Sequence, residues 1–461
     1  MPLLMRLILG VLFIMLSGWN ALCLMPRRKD PLYLFEALAI SFGLGVGLVS
    51  LEMFILYLLG IKFSLLSISA PWLILMAFNL LTRRVYRLSP MPAEWKGSGM
   101  LQNIFVLGIS IEVFYAFFRA LIKPIESYDA IAIYAIKSKI FYLAGTIPRE
   151  YFGSLAGIFP HPDYPLNIPL AETFFYLIFG QLNDQLVKVI FPIFYLGILS
   201  LAYWAIRRFA SRLHALIFTF MLATIPQFSA YATNAYLDLI LSFYYFASAL
   251  LLLRWLLNRD DTASLVLSAF MAALAAWTKN EGIMYCAINV FLMCVFVFTG
   301  RKPARKRGVI AVLVYAGILL AINLPWLLVK AAAHITNTDV DIMNIDPVNF
   351  VKQIYKIAPI LYEFQKEFFN PKKWLIIWPA AVAVFLLNYK KAFAGTARLF
   401  AALSVILAVL GYIWFYMISN LDVRFFAGKT WARFLIHFLP MVVYWMALVV
   451  CGDEKDIEAD E

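Results

Sequence analysis

Charge is what this chain has least of. Asp, Glu, Lys and Arg together make up 14% of its 461 residues, against roughly 25% in a soluble domain. With 63% hydrophobic residues and a mean hydropathy of +0.82, a single water-bounded core cannot hide so much apolar surface, and lipid is the solvent that suits it. Cysteine is scarce too. Cys23, Cys286, Cys294 and Cys451 lie in or at the end of apolar stretches, with no CxxC pair and no metal-ligand spacing, so they read as inert membrane-buried thiols. There is no low-complexity tract, no obvious internal repeat and no soluble domain of useful size. The first 25 residues lack a small-x-small cleavage site and run straight into Pro26-Arg27-Arg28-Lys29, which reads as a retained span stopped by a basic cluster.

What the chain has in quantity is apolar runs. A spanning helix needs about 20 apolar residues. On that measure the candidates are 3–25, 32–59, 64–81, 101–122, 186–206, 213–231, 239–257, 264–280, 283–299, 309–330, 374–389, 399–418 and 434–451, or 13 spans. The net charge of +12 comes from short basic clusters between these runs. That is the pattern of cytoplasmic loops and not of a nucleic-acid surface, so no nucleic-acid partner is expected. The clusters are Arg27-Arg28-Lys29, Arg83-Arg84 with Arg87, Arg207-Arg208 with Arg212, Arg254 with Arg259, Arg301 to Arg307, and Lys390-Lys391 with Arg398. All six fall on one side of an alternating topology if 123–185 crosses the bilayer an even number of times or not at all. The N-terminus then lies outside, and the acidic tail 452–461 lies inside.

The outer face keeps three stretches: 123–185, 331–373 and 420–433. In the first, Ala130–Leu143 is apolar but interrupted by Lys137 and Lys139, the composition of a helix lying in the interface plane. Ile168–Phe179 has the length of a re-entrant or interfacial helix. The lysines of the second stretch, Lys352, Lys356, Lys366, Lys372 and Lys373, read as a solvated surface.

Ionisable residues at a membrane edge are expensive and are therefore functional candidates. Asp129, in Glu126-Ser127-Tyr128-Asp129, follows a span and has the chemistry of a general base toward a hydroxyl; it equally suits an N-cap for Ala130 onward. His161-Pro162-Asp163-Tyr164-Pro165 is a rigid corner that places a His and an Asp on the same side as Asp129. A structural turn explains it as well. A third metal ligand is missing, so no metal is expected. Lys279 and Glu281, in Trp277-Thr278-Lys279-Asn280-Glu281-Gly282, separate two apolar runs. The lysine either neutralises a phosphate or snorkels beside an acid. Asp238 opens a span in the same way. Arg424, Lys429, Arg433 and His437 put four potential cations on the outer side, against the positive-inside trend; they fit a phosphate site, or headgroup contact by an ordinary juxtamembrane loop.

Taken in order, these segments resemble the GT-C membrane glycosyltransferases, namely the dolichyl-phosphate-mannose protein mannosyltransferases and the aminoarabinose transferases of lipid A. The resemblance runs from about Leu101 to about Leu439. It rests on Tyr128-Asp129-Ala130, on the His161 to Pro165 segment, on Tyr236-Leu237-Asp238, and on the small-residue helix from Ala272 ending in Thr278-Lys279. The mannosyltransferases carry adjacent acids in the first loop, whereas Glu126 and Asp129 are three apart here; Asp129 is taken as the base because it directly precedes the amphipathic segment.

The resemblance implies an all-α polytopic bundle with 101–451 as the catalytic module and 1–100 as an N-terminal three-span addition. It implies a bacterial plasma-membrane enzyme that moves a sugar, with inversion, from a polyprenyl phosphate to a lipid or glycan hydroxyl on the outer face. In that scheme Asp129 is the catalytic base, and Lys279, Arg424, Lys429, Arg433 and His437 hold the donor phosphate. Glu126, His161, Asp163, Asp238 and Glu281 orient the acceptor. No cofactor is expected, although some relatives use a divalent ion. The alternatives are a lipid or solute transporter, which would be expected to show repeated halves, and a glycan ligase or polymerase with a diphosphate-linked donor.

Overall fold

Apolar runs of this length satisfy their backbone in lipid by coiling. The computed structural model describes residues 1–26, 31–90, 99–153, 161–299, 302–336 and 351–452, without the side chains of 302–305. The described residues form helices and loops, with no sheet among them. The Arg27-Arg28-Lys29 cluster, Arg301, and the tail from Asp453 lie outside the described residues.

In chain order the helices are α1 (Leu3–Cys23), α2 (Leu34–Leu58), α3 (Leu65–Leu81), α4 (Met100–Ile122), α5 (Ile136–Ala144), α6 (Asn167–Phe179), α7 (Ile190–Arg207), α8 (Arg212–Ala223) and α9 (Pro226–Tyr231). They continue with α10 (Asp238–Leu257), α11 (Thr262–Thr278), α12 (Glu281–Phe298), α13 (Lys302–Ala332), α14 (Ile357–Phe368), α15 (Pro371–Trp374), α16 (Ile377–Leu387), α17 (Gly395–Ile418) and α18 (Val423–Cys451).

Among the described residues nine helices are long and apolar enough to cross a membrane: α1, α2, α4, α7 with its preceding turn, α10, α12, α13, α17 and α18. The other four of the 13 expected spans are shorter helices in the expected places, each with a local cause. The run 213–231 is divided because α8 ends at Ala223 and Pro226 starts α9, where its missing N–H costs nothing. The run 264–280 stops at Thr278 because Lys279 is extended, with φ −149° and ψ 152°. The run 374–389 is interrupted at Leu375, whose φ is 51°. The run 64–81 yields a helix of 17 residues, Leu65–Leu81, with Pro71 inside it.

Packing sorts the helices. α2 is buried along most of its length and touches α1, α6, α7 and α11. Its approach to α1 is as close as backbones allow: a Cβ on Gly18 would meet the Ser41 carbonyl oxygen at 1.8 Å, the small-residue contact that joins helices in lipid. α10 is buried on every face, whereas α4 and α13 present most of their surface outward.

The first long outer stretch departs from its expected shape. Residues Ala130–Ala135 form a wide π-helical turn that feeds α5. There Lys137 and Ser138 point inward and are fully buried, while Ile131, Ile136 and Leu143 are exposed. The amphipathic face is thus inverted relative to a helix in water, as suits a helix with lipid beside it. α6 is buried all round, between α2 and α5, so it lies inside the protein and not on the interface.

The lysines of the second stretch also divide. Lys366 and Lys372 are exposed, but Lys356 is buried and donates to the Met417 and Ser419 carbonyls at 3.2 and 2.7 Å. It closes the C-terminal end of α17, where a cation meets the free carbonyls. Lys373 pairs with Glu367 at 2.9 Å.

Two ionic clusters mark the two ends of the bundle. At one end Glu36 takes Arg208 at 2.9 Å and Arg254 at 3.8 Å. At the other, Asp129, Asp238, Lys279 and Arg433 come together. The basic loops 207–212 and 254–259 thus share one end, opposite Asp129, as the alternating topology requires.

Candidate active site at one end of the bundle

The break between α11 and α12 and one face of α18 converge on a single carboxylate at the start of α10. Asp238 is the first residue of α10, turned inward by a loop in which Ala235 has φ 63°. A left-handed alanine costs about 1–2 kcal/mol, so the surrounding packing holds that turn. Asp238 is fully buried. It receives Lys279 Nζ on Oδ1 at 2.9 Å, His437 Nε2 on Oδ1 at 2.9 Å and Arg433 Nε on Oδ2 at 3.2 Å. A carboxylate only accepts, so His437 donates through Nε2, and in the neutral ring Nδ1 is left to accept from Tyr412. The Tyr412 hydroxyl in turn meets that of Tyr285 at 2.9 Å.

Lys279 is held at the break between α11 and α12. Thr278 Oγ1 accepts from Asn167 Nδ2 at 2.8 Å, Asn167 Oδ1 accepts from Ser50 Oγ at 2.7 Å, and Ser50 Oγ accepts from Trp277 Nε1 at 2.9 Å. α2 and α6 therefore position the Trp277-Thr278-Lys279 segment. The return into α12 passes Gly282, where a Cβ would lie 2.1 Å from the Ala275 carbonyl oxygen; only glycine fits. Lys279 also pairs with Glu281 Oε1 at 2.9 Å.

Arg433, on α18, bridges outward. Its Nη1 donates to Asp129 Oδ2 at 2.6 Å. Asp129 makes no side-chain cap to the turn that follows it, so the arginine, not the helix N-terminus, takes its charge. Side-chain exposure falls from the mouth inward: Asp129 27%, Arg433 18%, Glu281 12%, Lys279 1%, Asp238 0% and His437 0%. Asp129, Arg433 and Glu281 line a cavity of about 970 Å³; Lys279, Asp238 and His437 stand behind its wall.

The cavity has two characters. One end is polar, with Asp129, His161, Asn280, Glu281, Lys330 and Arg433. The other runs between Ile283, Met284 and Ala287 of α12, Gly411, Trp414 and Phe415 of α17, and Phe426 and Phe434 of α18.

The His161 corner joins this site from the side. His161 has φ 49° ahead of Pro162 and stacks on Tyr164 at 4.7 Å. Its carbonyl accepts from Lys137 at 2.9 Å. Asp163 lies 4.0 Å from the His161 ring and accepts from Asn280 Nδ2 at 2.5 Å. Burial pushes the Asp163 carboxyl up from its ordinary value, with Lys330 and His161 opposing. Burial likewise pushes Lys137 down to about 7, with Asp163 opposing.

Of the residues singled out in the sequence, Asp129, Asp238, Lys279, Glu281, Arg433 and His437 form one network, and His161 and Asp163 adjoin it. Three others stand apart. Glu126 pairs with Lys123 at 3.3 Å on the surface. Arg424 and Lys429 are exposed on the outer turns of α18, Lys429 over the Phe425 ring, and neither lines the cavity. Sequence reasoning missed Lys330, Lys137 and Tyr412. Lys330 had a usable signal, a cation at the outer end of a span. Tyr412, one tyrosine in an apolar run, had none. Among the described residues no group of three His, Cys, Asp or Glu side chains is placed to hold a metal ion.

The all-helical membrane bundle has the GT-C fold. A solved structure with this fold is ArnT from Cupriavidus metallidurans, a GT-C aminoarabinose transferase crystallised with undecaprenyl phosphate. The similarity has a TM-score of 0.50 at 16% identity and covers 76% of this chain and 60% of that one. At that identity the likeness establishes the fold, and this chain spans about three fifths of the length of ArnT. No protein-family model and no curated protein matches the chain.

Proposed function

We propose that this protein is a membrane glycosyltransferase that takes a sugar from a polyprenyl phosphate and passes it to a hydroxyl acceptor, with Asp129 as general base. The observation that carries the reading is the two-sided cavity: an apolar arm between α12, α17 and α18 suits a prenyl chain, and it leads to a polar end containing two carboxylates, Asp129 and Glu281, and two cations, Arg433 and Lys330. The ArnT structure, solved with undecaprenyl phosphate, supports the same donor class.

The charges give the mechanism a definite order. The network holds three carboxylates, Asp129, Asp238 and Glu281, against two fixed cations, Lys279 and Arg433. In this state Arg433 masks Asp129. A donor phosphate at the polar end competes for the guanidinium, whose planar fork suits phosphate oxygens. Arg433 then turns from Asp129 to the phosphate, and Asp129 is freed to accept the proton of the acceptor hydroxyl as the oxygen attacks the anomeric carbon from the face opposite the phosphate. The C–O bond to phosphate breaks, its electrons leave with the prenyl phosphate, and Arg433 and Lys330 offset the growing charge. The product is inverted at that carbon. Lys279 and His437 act from behind the wall by fixing Asp238, which fixes Arg433. The site belongs on the outer face of the bacterial plasma membrane, opposite the basic loops.

The test is transfer in liposomes from a panel of prenyl-phosphate sugars by wild type and Asp129→Asn. Loss of a general base costs about 10²–10⁴-fold in rate, with normal insertion and folding. Undiminished turnover by Asp129→Asn refutes the assignment.

A further inference from the structure

Glu281 contains a buried atom with nothing to bond. Its Oε1 is taken by Lys279 at 2.9 Å, while Oε2 is buried and has no hydrogen-bond partner among the described residues. The side chain nevertheless lines the large cavity. Leaving a buried charged acceptor unsatisfied costs about 1–3 kcal/mol or more, and buried polar atoms in folded proteins are almost always paired. An orphan of this kind in a cavity wall marks where an occupant supplies the missing bond.

The chemistry of that occupant follows from the carboxylate. A carboxylate oxygen accepts and cannot donate, so the partner carries an O–H or N–H. The lipid-linked donor proposed above has three parts. Its prenyl chain has no donor. Its phosphate is an anion, repelled by a carboxylate in a network where acids already outnumber fixed cations three to two. Only the sugar offers hydroxyl or ammonium donors. Position agrees: Glu281 opens α12, and Ile283, Met284 and Ala287 of the apolar arm follow it on the same helix. It therefore stands at the junction between the polar end and the lipid channel.

We infer that Glu281 is the residue that reads the sugar, its free carboxylate oxygen accepting a hydrogen bond from a hydroxyl or ammonium group of the donor sugar. The inference rests on the polyprenyl-phosphate reading of the cavity. It makes Glu281 a specificity determinant separate from Asp129, which handles the acceptor proton, and from Arg433 and Lys330, which face the phosphate.

Direct titration of the full-length protein in detergent, with no acceptor present, tests it. The ligands are farnesyl phosphate alone and farnesyl phosphates carrying glucose, galactose, mannose or aminoarabinose; the proteins are wild type and Glu281→Gln. The glutamine keeps an oxygen for Lys279 but offers an N–H where the free oxygen stood. Glu281→Gln is expected to bind bare farnesyl phosphate at least as tightly as wild type, because one repelling charge is gone. It is expected to bind the sugar-bearing ligand that wild type prefers about tenfold or more weakly, the range of a hydrogen bond to a charged group. Equal binding of that ligand by both proteins overturns the inference, as does an equal loss for bare and sugar-bearing ligands, which would make Glu281 a prop for Lys279. A wild type that binds no farnesyl phosphate overturns the donor reading itself and this inference with it.

Discussion

The two ends of the bundle carry ionic clusters built from the same residue types with opposite surpluses. At one end a single carboxylate, Glu36, sits between Arg208 and Arg254 beside a cavity of only about 100 Å³. At the other end three carboxylates face two fixed cations beside a cavity of about 970 Å³. The Glu36 cluster ties α2 to α7 and α10. The second cluster keeps acids at helix ends of a membrane bundle, where they are expensive, and leaves two of them, Asp129 and Glu281, facing a volume large enough for a substrate. The lesson is that an ion pair at a helix end signals function when it adjoins space and leaves a group available, and signals structure when it does neither.

That contrast is open to direct attack. The largest effect belongs to Asp238→Asn, which keeps one accepting oxygen but removes the buried negative charge that Lys279, Arg433 and His437 share and turns an N–H toward one of these donors. Breaking a buried pair from one side costs about 3–5 kcal/mol, so the thermal midpoint in detergent falls sharply and transfer is lost with it. A midpoint equal to that of wild type would mean that Asp238 does not organise the site. The smaller effect is at the other end. Glu36→Gln retains an oxygen for the Tyr33 amide, which now donates to Glu36 Oε2 at 2.9 Å, and loses only the charge between two partly exposed arginines. It is expected to cost about 1–3 kcal/mol and to leave the transfer rate per folded molecule unchanged. A rate loss comparable to that of Asp129→Asn would erase the distinction between the two ends.

Much of the fold was legible because hydropathy and charge are sums over a window, and spans are long windows. The breaks were not, since they depend on single backbone angles. Lys279 extended and Leu375 with a positive φ each cut an apolar run that composition reads as continuous. The inward turn of Lys137 was hidden for a similar reason: a lysine in an apolar segment reads as a solvated head unless the acid and carbonyl that surround it, Asp163 and the carbonyl of His161, are known to be near. The site was legible where a charge interrupted an apolar run, as at Asp129, Asp238, Lys279 and Arg433. The pairing was not legible. Asp129 and Arg433 are 304 positions apart, and nothing local distinguishes Arg433, which reaches the cavity, from Arg424, which does not. Composition marks Lys330 only as the end of a span, whereas its side chain lines the polar end of the cavity.

The large cavity is the proposed seat of a lipid phosphate. A photoreactive prenyl phosphate, cross-linked to the protein in liposomes and mapped by mass spectrometry, asks this directly. Labels are expected on residues 283–287, 411–418 and 426–434, and unlabelled prenyl phosphate should suppress them. Labels spread over the outward faces of α4 and α13 and indifferent to competitor would contradict the account.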